Sequence, residues 1–206
     1  MMGHIIKELK NHFPFTIFGA VTGIIIMLFF YKIPPELSYN IFYVLHPIHV
    51  LLSALVTTSI YIIYIKKNNR KINILLLILI GYIGSIGIAT LSDSIIPYIG
   101  EIFLNLPNKG IHLGFIEKWW LVNPLAFLGI AIAYFKPKTK LPHAGHVLLS
   151  VWASLFHIIM ALGATINFIL VIIIFVFLFF AVLLPCCLSD IVFPLLFIKN
   201  KKEDKK

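Results

Sequence analysis

The sequence predicts an all-α integral membrane protein with six transmembrane helices, arranged as two inverted-topology repeats of three helices each. Two observations predict the membrane class. The 206 residues are 60% hydrophobic and 12% charged, and the mean hydropathy is +1.00. Several apolar runs also reach the roughly 20 residues that a helix needs to cross a bilayer. Because a soluble domain of this size carries more charge on its surface, the composition excludes a soluble fold. The third observation, an internal repeat, predicts the inverted arrangement.

Six apolar segments form the predicted spans, and polar or proline-containing connections separate them. The N-terminal residues lack the apolar core and the small-residue cleavage site of a signal peptide, so we expect the first span to be retained as an anchor. The predicted bounds of the spans are 14–31, 41–65, 72–99, 119–135, 143–164 and 166–197.

Basic residues predict the orientation of these spans. With the N-terminus inside, 14 of the 17 Lys and Arg residues lie in cytoplasmic segments, and the outer segments hold Lys32, Lys109 and Lys118. By the positive-inside rule both termini are cytoplasmic, and we expect the protein in the cell (cytoplasmic) membrane. The net charge of +9 then reflects orientation and contact with anionic lipid, so nucleic acid is not an expected partner.

Two polar motifs occur twice, each time 97 residues apart. "HPIHVLLS" at 46–53 returns as "HAGHVLLS" at 143–150, and "LSDSIIP" at 91–97 returns as "LSDIVFP" at 188–194. Each half contains three spans, and because an odd number of spans reverses the chain, the second half is expected to be inserted upside down. In this organisation the chain resembles inverted-repeat secondary transporters. The predicted parts are a first repeat at 1–103, a second repeat at 104–198 and a charged cytoplasmic tail at 199–206.

The third and sixth spans are predicted to be broken or re-entrant helices. Their apolar runs, 72–99 and 166–197, are too long for one straight crossing, and Asp93 and Asp190 are each followed four residues later by a proline. Transporters place ion sites at such broken helices. Each aspartate also has a simpler alternative role, because Ser-Asp can cap a helix N-terminus by accepting backbone N–H bonds.

The repeated polar residues predict two symmetry-related metal sites. His-x-x-His places two imidazoles about one helical turn apart, close enough to share an ion. Two neutral imidazoles with one carboxylate suit Zn²⁺, Fe²⁺, Mn²⁺ or Co²⁺, whereas Mg²⁺ and Ca²⁺ require more oxygen ligands. The predicted ligands are three residues on the outer side and their counterparts on the cytoplasmic side: His46, His49 and Asp93, and His143, His146 and Asp190.

Further polar residues are secondary candidates. Serines four residues after the second histidine of each pair continue the same helix face, which predicts contact with other helices or with a water-filled cavity. A thiolate just before the second aspartate would favour softer ions, although two cysteines that pack as small apolar residues are the simpler interpretation. The secondary candidates are His157, Cys186, Cys187, Ser53, Ser150, Ser92 and Ser189.

These features favour a secondary transporter of a divalent transition-metal ion. Metal binding requires neutral imidazoles and an ionised carboxylate, so proton coupling is physically natural. The chain contains no G-x-x-x-x-G-K-[ST] loop and therefore cannot hydrolyse ATP alone. The expected partners are the lipid bilayer and the metal ion, and a homodimer is compatible with six short spans that enclose a small pathway.

Three alternatives stay open at this point. A membrane-embedded His/Asp metal-dependent hydrolase, acting on lipid or a small substrate, needs one working cluster and a nearby acid or base. Electron transfer through a bis-His haem needs histidines on facing helices, which one His-x-x-His helix does not provide. A scaffold protein would use the same residues only to stabilise broken helices.

Overall fold

The computed structural model describes the backbone of residues 2–163, 166–187 and 193–197, and the side chains within these ranges except at 2–12, 140, 141, 187 and 195. The secondary structure is helical, with no strand in the described ranges. The helices are α1 Met2–Phe30, α2 Pro35–Lys67, α3 Ile74–Thr90, a π-helical segment Leu91–Ile95, α4 Ile96–Phe103, α5 Gly114–Glu117, α6 Trp119–Phe135, α7 Lys140–Leu162, α8 Phe168–Cys187 and α9 Phe193–Leu196.

Within the described residues, five helical segments are long and apolar enough to cross a membrane, as the predicted membrane class requires. A sixth helix, α6, is also apolar but shorter, and its bounds are those predicted for the fourth span. The five segments are Phe13–Phe30, Pro35–Lys67, Ile74–Phe103, Pro142–Leu162 and Phe168–Cys186.

Several helices begin earlier than the sequence predicts. α1 starts at Met2 and contains Pro14, and α2 starts at Pro35 rather than at residue 41. A proline in the first turn is well tolerated because the N–H that it lacks would have no helical partner there. Glu36 in the same turn adds a negative charge at the positive end of the helix dipole. The apolar run alone therefore underestimates these helices.

The third span is not interrupted, contrary to the prediction of a broken helix. α3 passes into the π-helical segment and then into α4, and the backbone N–H of Ile96 bonds to the carbonyl of Leu91, five residues back. Pro97 gives the physical reason. Because proline has no N–H, the carbonyl of Asp93 cannot be paired in the α-helical way, and a wider π turn accommodates the mismatch without ending the helix.

The predicted break in the sixth span concerns residues that the structure does not describe. Residues 188–192, which include Ser189 and Asp190, lie outside the described residues, as does the predicted tail at 199–206.

Helix α2 lies at the centre of the bundle. It packs against α7, α6 and α3, while α1 and α8 cover the other side of α7. The approach of α6 to α2 depends on Gly129, where a Cβ would collide with the carbonyl oxygen of Leu51. Small residues let helices in a membrane approach in this way. α1, α6 and α8 expose large apolar side chains such as Phe29, Phe135 and Phe168, as lipid-facing helices do.

The two ends of the bundle differ in composition. The loop end, as we call it, carries the connections after α1 and α4 and the C-terminus of α7, and there the backbone N–H of Asn108 donates to the carbonyl of Ala161 (3.2 Å). The lysine end carries the connections after α2 and α6, and there the backbone N–H of Lys138 donates to Ser59 Oγ (3.1 Å). The basic residues at the lysine end are Lys66, Lys67, Arg70, Lys71, Lys136 and Lys138.

Candidate metal centre

The carboxylate of Asp93 is the hub of a fully buried polar cluster. The π-helical segment turns Asp93 toward α2 and α7, and neither oxygen is exposed. Oδ2 accepts from Nδ1 of His46 (2.9 Å) and Nδ1 of His49 (2.7 Å). Oδ1 accepts from the hydroxyls of Ser92 and Ser150, each over 2.7 Å. An ionised carboxylate has about four lone-pair sites, so these four donors saturate it.

The structure thus brings together the three ligands predicted for the first half of the chain. Their helices explain why. His46 and His49 lie one turn apart on the face of α2 that packs against α3, and the π turn widens the helix where Asp93 meets them. The alternative role of Asp93 as a helix cap is not observed, because neither the π segment nor α4 has a side-chain cap.

Asp93 fixes the orientation of both imidazoles. Because each Nδ1–H points to the carboxylate, the lone pair of each neutral ring lies on Nε2. Nε2 of His46 and Nε2 of His49 are both buried, and neither has a hydrogen-bond partner among the described residues. A carboxylate that holds one ring nitrogen while the other binds a metal is the usual arrangement of metal-binding histidines. The two rings are therefore oriented as metal ligands.

Gly114 lets the backbone of α5 pack closely against one side of the His46 ring, at its Cδ2–Nε2 edge. A Cβ on Gly114 would lie 2.5 Å from Cδ2 and 2.6 Å from Nε2 of His46, closer than real side chains approach. Phe42 covers the other side of the ring as a stacked neighbour, with ring centroids 5.2 Å apart and planes within 13°. The first turn of α5 and the aromatic ring of α2 together hold this imidazole in place.

A second group of potential ligands adjoins the first. His49, His146 and Cys186 come from α2, α7 and α8, all three are buried, and their ligand atoms lie within 4.8 Å of one another. The same limit holds for His46, His49 and Asp93. Imidazole and thiolate are both ligands of Zn²⁺ and similar ions. His49 belongs to both groups, so the two groups can be read as neighbouring positions for one ion.

The two histidine pairs therefore meet, and the prediction of separate clusters on the two sides needs correction. The rings of His49 and His146 are 5.7 Å apart, and those of His143 and His146 are 5.3 Å apart. The physical reason is that α2 and α7 pack side by side along their length, so motifs in both halves reach the same depth. Periodicity gives the face of each helix but not the height at which two helices cross.

The predicted serine stripe of α7 faces the π segment. Ser154 Oγ lies 3.0 Å from the carbonyl oxygen of Ser92 and 2.7 Å from that of Ser150, and it can donate to either. Ser53 of α2 is buried, and its hydroxyl has no hydrogen-bond partner within the described part of the chain. Among the other secondary candidates, the side chain of Cys187 and all of Ser189 lie outside the described residues.

Glu101 is not among the predicted site residues, because it follows the predicted end of the third span and falls in an outer connection. The residue lies in α4, is 1% exposed, and its Oε1 lies 2.7 Å from Nδ1 of His157 on α7. Its other oxygen accepts the backbone N–H of Gly110 (3.1 Å). One signal could have found it, because Glu101 stands eight residues after Asp93 and so lies near the same helix face.

A further polar group lies at the loop end. The ring of His112 is 5.4 Å from that of His157, and its Nδ1 is 3.3 Å from Oε2 of Glu117, which also accepts from Tyr43 Oη (2.7 Å). Burial alone would raise the pKa of Glu117. The hydrogen bond from Tyr43 and the charge and hydrogen bond of His112 outweigh it, helped by the backbone N–H of Leu113, and the net pKa is lowered.

Together these contacts form a line of imidazoles along the bundle. Phe42 makes the link between the loop-end group and the metal centre, since its ring stacks on His46 and meets the ring of His157 edge-on at 5.5 Å. From the loop end toward the start of α7, the line contains His112, His157, His46, His49, His146 and His143.

Comparisons with models of protein families, with curated proteins and with solved structures found no match for this chain.

Proposed function

We propose that the protein is a secondary transporter that moves a divalent transition-metal ion, of the class of Zn²⁺, Fe²⁺, Mn²⁺ and Co²⁺, through the cluster around His49. One observation carries the proposal. Two buried groups, each with three potential ligands, share His49, and the ligand atoms within each group lie within 4.8 Å of one another. An ion could pass from one group to the other while His49 stays bound.

The donor set suits transition metals. Imidazole nitrogens predominate, with one thiol at the second position; at the first position the Asp93 carboxylate can bind the ion directly only in exchange for one of its four hydrogen bonds. Such ligands favour Zn²⁺ and its neighbours over Mg²⁺ and Ca²⁺, which require more oxygen ligands. The carboxylate supplies a negative charge in the dry interior and orients the imidazoles, so a cation there gains both charge compensation and ligands.

The meeting of the two motifs also supports an inverted repeat of six spans. In such a fold a pseudo-two-fold axis lies in the membrane plane, and residues close to that axis meet their counterparts near the midplane. His49 and His146 are such counterparts in the repeated motifs, and their rings are in contact. The basic connections of the lysine end would then be cytoplasmic and the loop end would face outward.

Transport accounts for the geometry better than hydrolysis does. A metal-dependent hydrolase needs a base or acid free to act on a metal-bound water. Both oxygens of Asp93 are already occupied by four donors, and the hydroxyls of Ser92 and Ser150 point to this carboxylate rather than to an imidazole. His143, whose ring is 5.3 Å from that of His146, extends the imidazoles beyond the two ligand groups; it has no role in a single hydrolytic site, but it suits a pathway.

The test is metal flux into liposomes that contain the purified protein and a metal-sensitive dye. We expect the wild type to exceed protein-free liposomes for at least one of the four ions, and His49→Ala to fall to the protein-free rate. His12→Ala, which precedes the predicted first span, serves as a matched control and should transport normally. His146→Gln gives a second disruption of the cluster, and elution from size exclusion reports folding of each variant. Wild-type flux equal to that of empty liposomes for all four ions would refute transport.

A further inference from the structure

Glu101 and His157 form a buried ionisable pair that the metal centre does not use. The side chain of His157 is fully buried, that of Glu101 is 1% exposed, and 2.7 Å separates Nδ1 from Oε1. Nε2 of His157 is also buried and has no hydrogen-bond partner in the part of the chain that the structure describes. A buried ion pair contributes little net stability, and a buried nitrogen without a hydrogen-bond partner is destabilising. Stability is therefore a poor explanation for the pair.

The pair has a polar connection to the loop-end surface. His112, whose side chain is 26% exposed, lies with its ring 5.4 Å from that of His157. Beyond His112, Glu117 accepts hydrogen bonds from the hydroxyls of Tyr39 (3.4 Å) and Tyr43 (2.7 Å). A partly exposed imidazole, itself close to a carboxylate, thus lies in ring contact with the buried pair.

Apolar side chains separate the pair from the metal centre. The ring of Phe42 is fully buried and lies between His157 and His46, in contact with both. On the α8 side, the ring of Phe177 packs close to Gly100, next to Glu101 in the chain. The sequence of α8 contains no ionisable residue before Cys186. Among the described residues, the titratable groups that face the pair are thus His112 and, behind it, Glu117. The hydroxyls of Tyr39 and Tyr43 donate to Glu117, and the amine of Lys118 lies over the rings of both tyrosines.

The pair also links two of the elements that hold residues of the metal centre. Glu101 lies on α4, which is continuous with the π segment of Asp93, and His157 lies on α7, which carries Ser150 and His146. The ion pair joins α4 to α7 near the loop end, and the bond from Ser150 to Asp93 joins the same two elements at the metal centre. A change in the charge of the pair therefore alters one of the two contacts that join these elements.

We propose that Glu101 and His157 form a proton-exchange site that couples metal movement to proton movement from the loop end. The proposal rests on the proposed metal transport and adds its coupling ion. The pair takes up one proton from water by way of His112, which converts carboxylate and neutral imidazole into carboxylate and imidazolium, and releases it by the same route. The metal ligands and the proton site are separate residues, although His157 shares α7 with His146 and Glu101 follows the π segment of Asp93, so metal and proton are exchanged at different places.

The experiment measures metal flux and proton flux in the same liposomes, with a metal-sensitive dye and a pH-sensitive dye. In the wild type a zinc gradient should drive proton flux, and a pH gradient should drive zinc uphill. Glu101→Gln should keep downhill zinc flux at the wild-type rate but lose both coupled effects. Glu36→Gln, an exposed glutamate in the first turn of α2, is the matched control and should behave as the wild type.

A second variant, His157→Gln, covers the case in which Glu101→Gln does not fold, and zinc stoichiometry in detergent verifies that the metal centre is intact. If both variants retain the wild-type ratio of protons to zinc, the proton site is refuted and metal transport stands. Loss of downhill zinc flux in both, with zinc still bound, would equally count against a separate proton site. Absence of zinc flux in the wild type refutes the transport proposal itself.

Discussion

Ser150 of α7 donates a hydrogen bond to Oδ1 of Asp93 over 2.7 Å, although 57 residues separate them in the chain. Ser150 belongs to the second copy of the repeated motif, and Asp93 lies in the first half. The carboxylate that orients His46 and His49 is thus held in place by a hydroxyl from the other half. The candidate metal centre is therefore composite, and neither half contains all of its parts.

Replacing Asp93 should be the most damaging single change in the cluster. Asp93→Ala leaves two imidazole N–H groups and two hydroxyls buried without their acceptor, so we expect unfolding free energy in an SDS titration to fall by about 3–5 kcal/mol. Asp93→Asn keeps the volume and one acceptor oxygen and should cost less, about 1–3 kcal/mol. Both variants should lose bound zinc. Neither alanine nor asparagine supplies the negative charge of the carboxylate, and neither can hold the imidazoles of both His46 and His49.

The exposed Glu36 provides the control for that measurement. Glu36→Ala should change the free energy of unfolding by less than about 0.5 kcal/mol and leave zinc binding unaltered. An Asp93→Ala protein as stable as the wild type would show that the four hydrogen bonds at this carboxylate do not support the fold.

The meeting of the three residues predicted as ligands in the first half could be expected from the sequence, because polar residues inside apolar segments are rare. His46, His49 and Asp93 stand out for this reason, and the structure brings them together. The meeting of His49 with His146 could not be predicted. It depends on the height at which α2 and α7 cross, which is set by side-chain packing along both helices and leaves no periodic trace.

Glu101 and the π segment show two further limits of the sequence. The apolar run of the third span suggested an end at residue 99, so Glu101 was assigned to a connection, whereas α4 continues to Phe103. Pro97 correctly marked a disturbance in that span. The disturbance takes the form of a π turn rather than a break. Which of the two forms depends on whether the surrounding helices keep this part of the chain helical, and that is a matter of tertiary packing.

The contact between α2 and α6 should be sensitive to a single methyl group. At Gly129 a Cβ would meet the carbonyl oxygen of Leu51 and the Cβ of Ala54, so Gly129→Ala must push the two helices apart. We expect a loss of about 1–3 kcal/mol in the free energy of unfolding.

Gly87→Ala is the matched control, since no atom lies within 4 Å of its Cβ position. It should be neutral or stabilising by up to about 1 kcal/mol, because alanine favours the helix. Equal effects of the two substitutions would contradict close packing at Gly129.

Glu117 should make the loop end sensitive to acid. Its folded pKa lies below the ordinary value of 4.5, so its contribution to stability is fully present above that pH and is lost as the pH falls through the folded pKa. The difference in unfolding free energy between the wild type and Glu117→Gln should therefore shrink between about pH 5 and pH 3. Urea or SDS titrations across this range measure it. A difference that stays constant, or grows toward acid, would show that the carboxylate is not stabilised by Tyr43 and His112 in the folded state.

The thiol of Cys186 should determine which ions bind best. It is the soft ligand of the group that contains His49 and His146, and soft ligands favour Zn²⁺ over Mn²⁺. Cys186→Ser keeps the size of the side chain but replaces the thiol with a hydroxyl. We expect zinc affinity, measured by competition with a chelating dye, to fall by about tenfold or more, equivalent to about 1.4 kcal/mol.

Manganese affinity should change little, because manganese gains less from sulfur, and it provides an internal control for folding. Equal losses for zinc and manganese would indicate that Cys186 supports the packing of α8, and an unchanged ratio with unchanged affinities would place the bound ion away from the thiol.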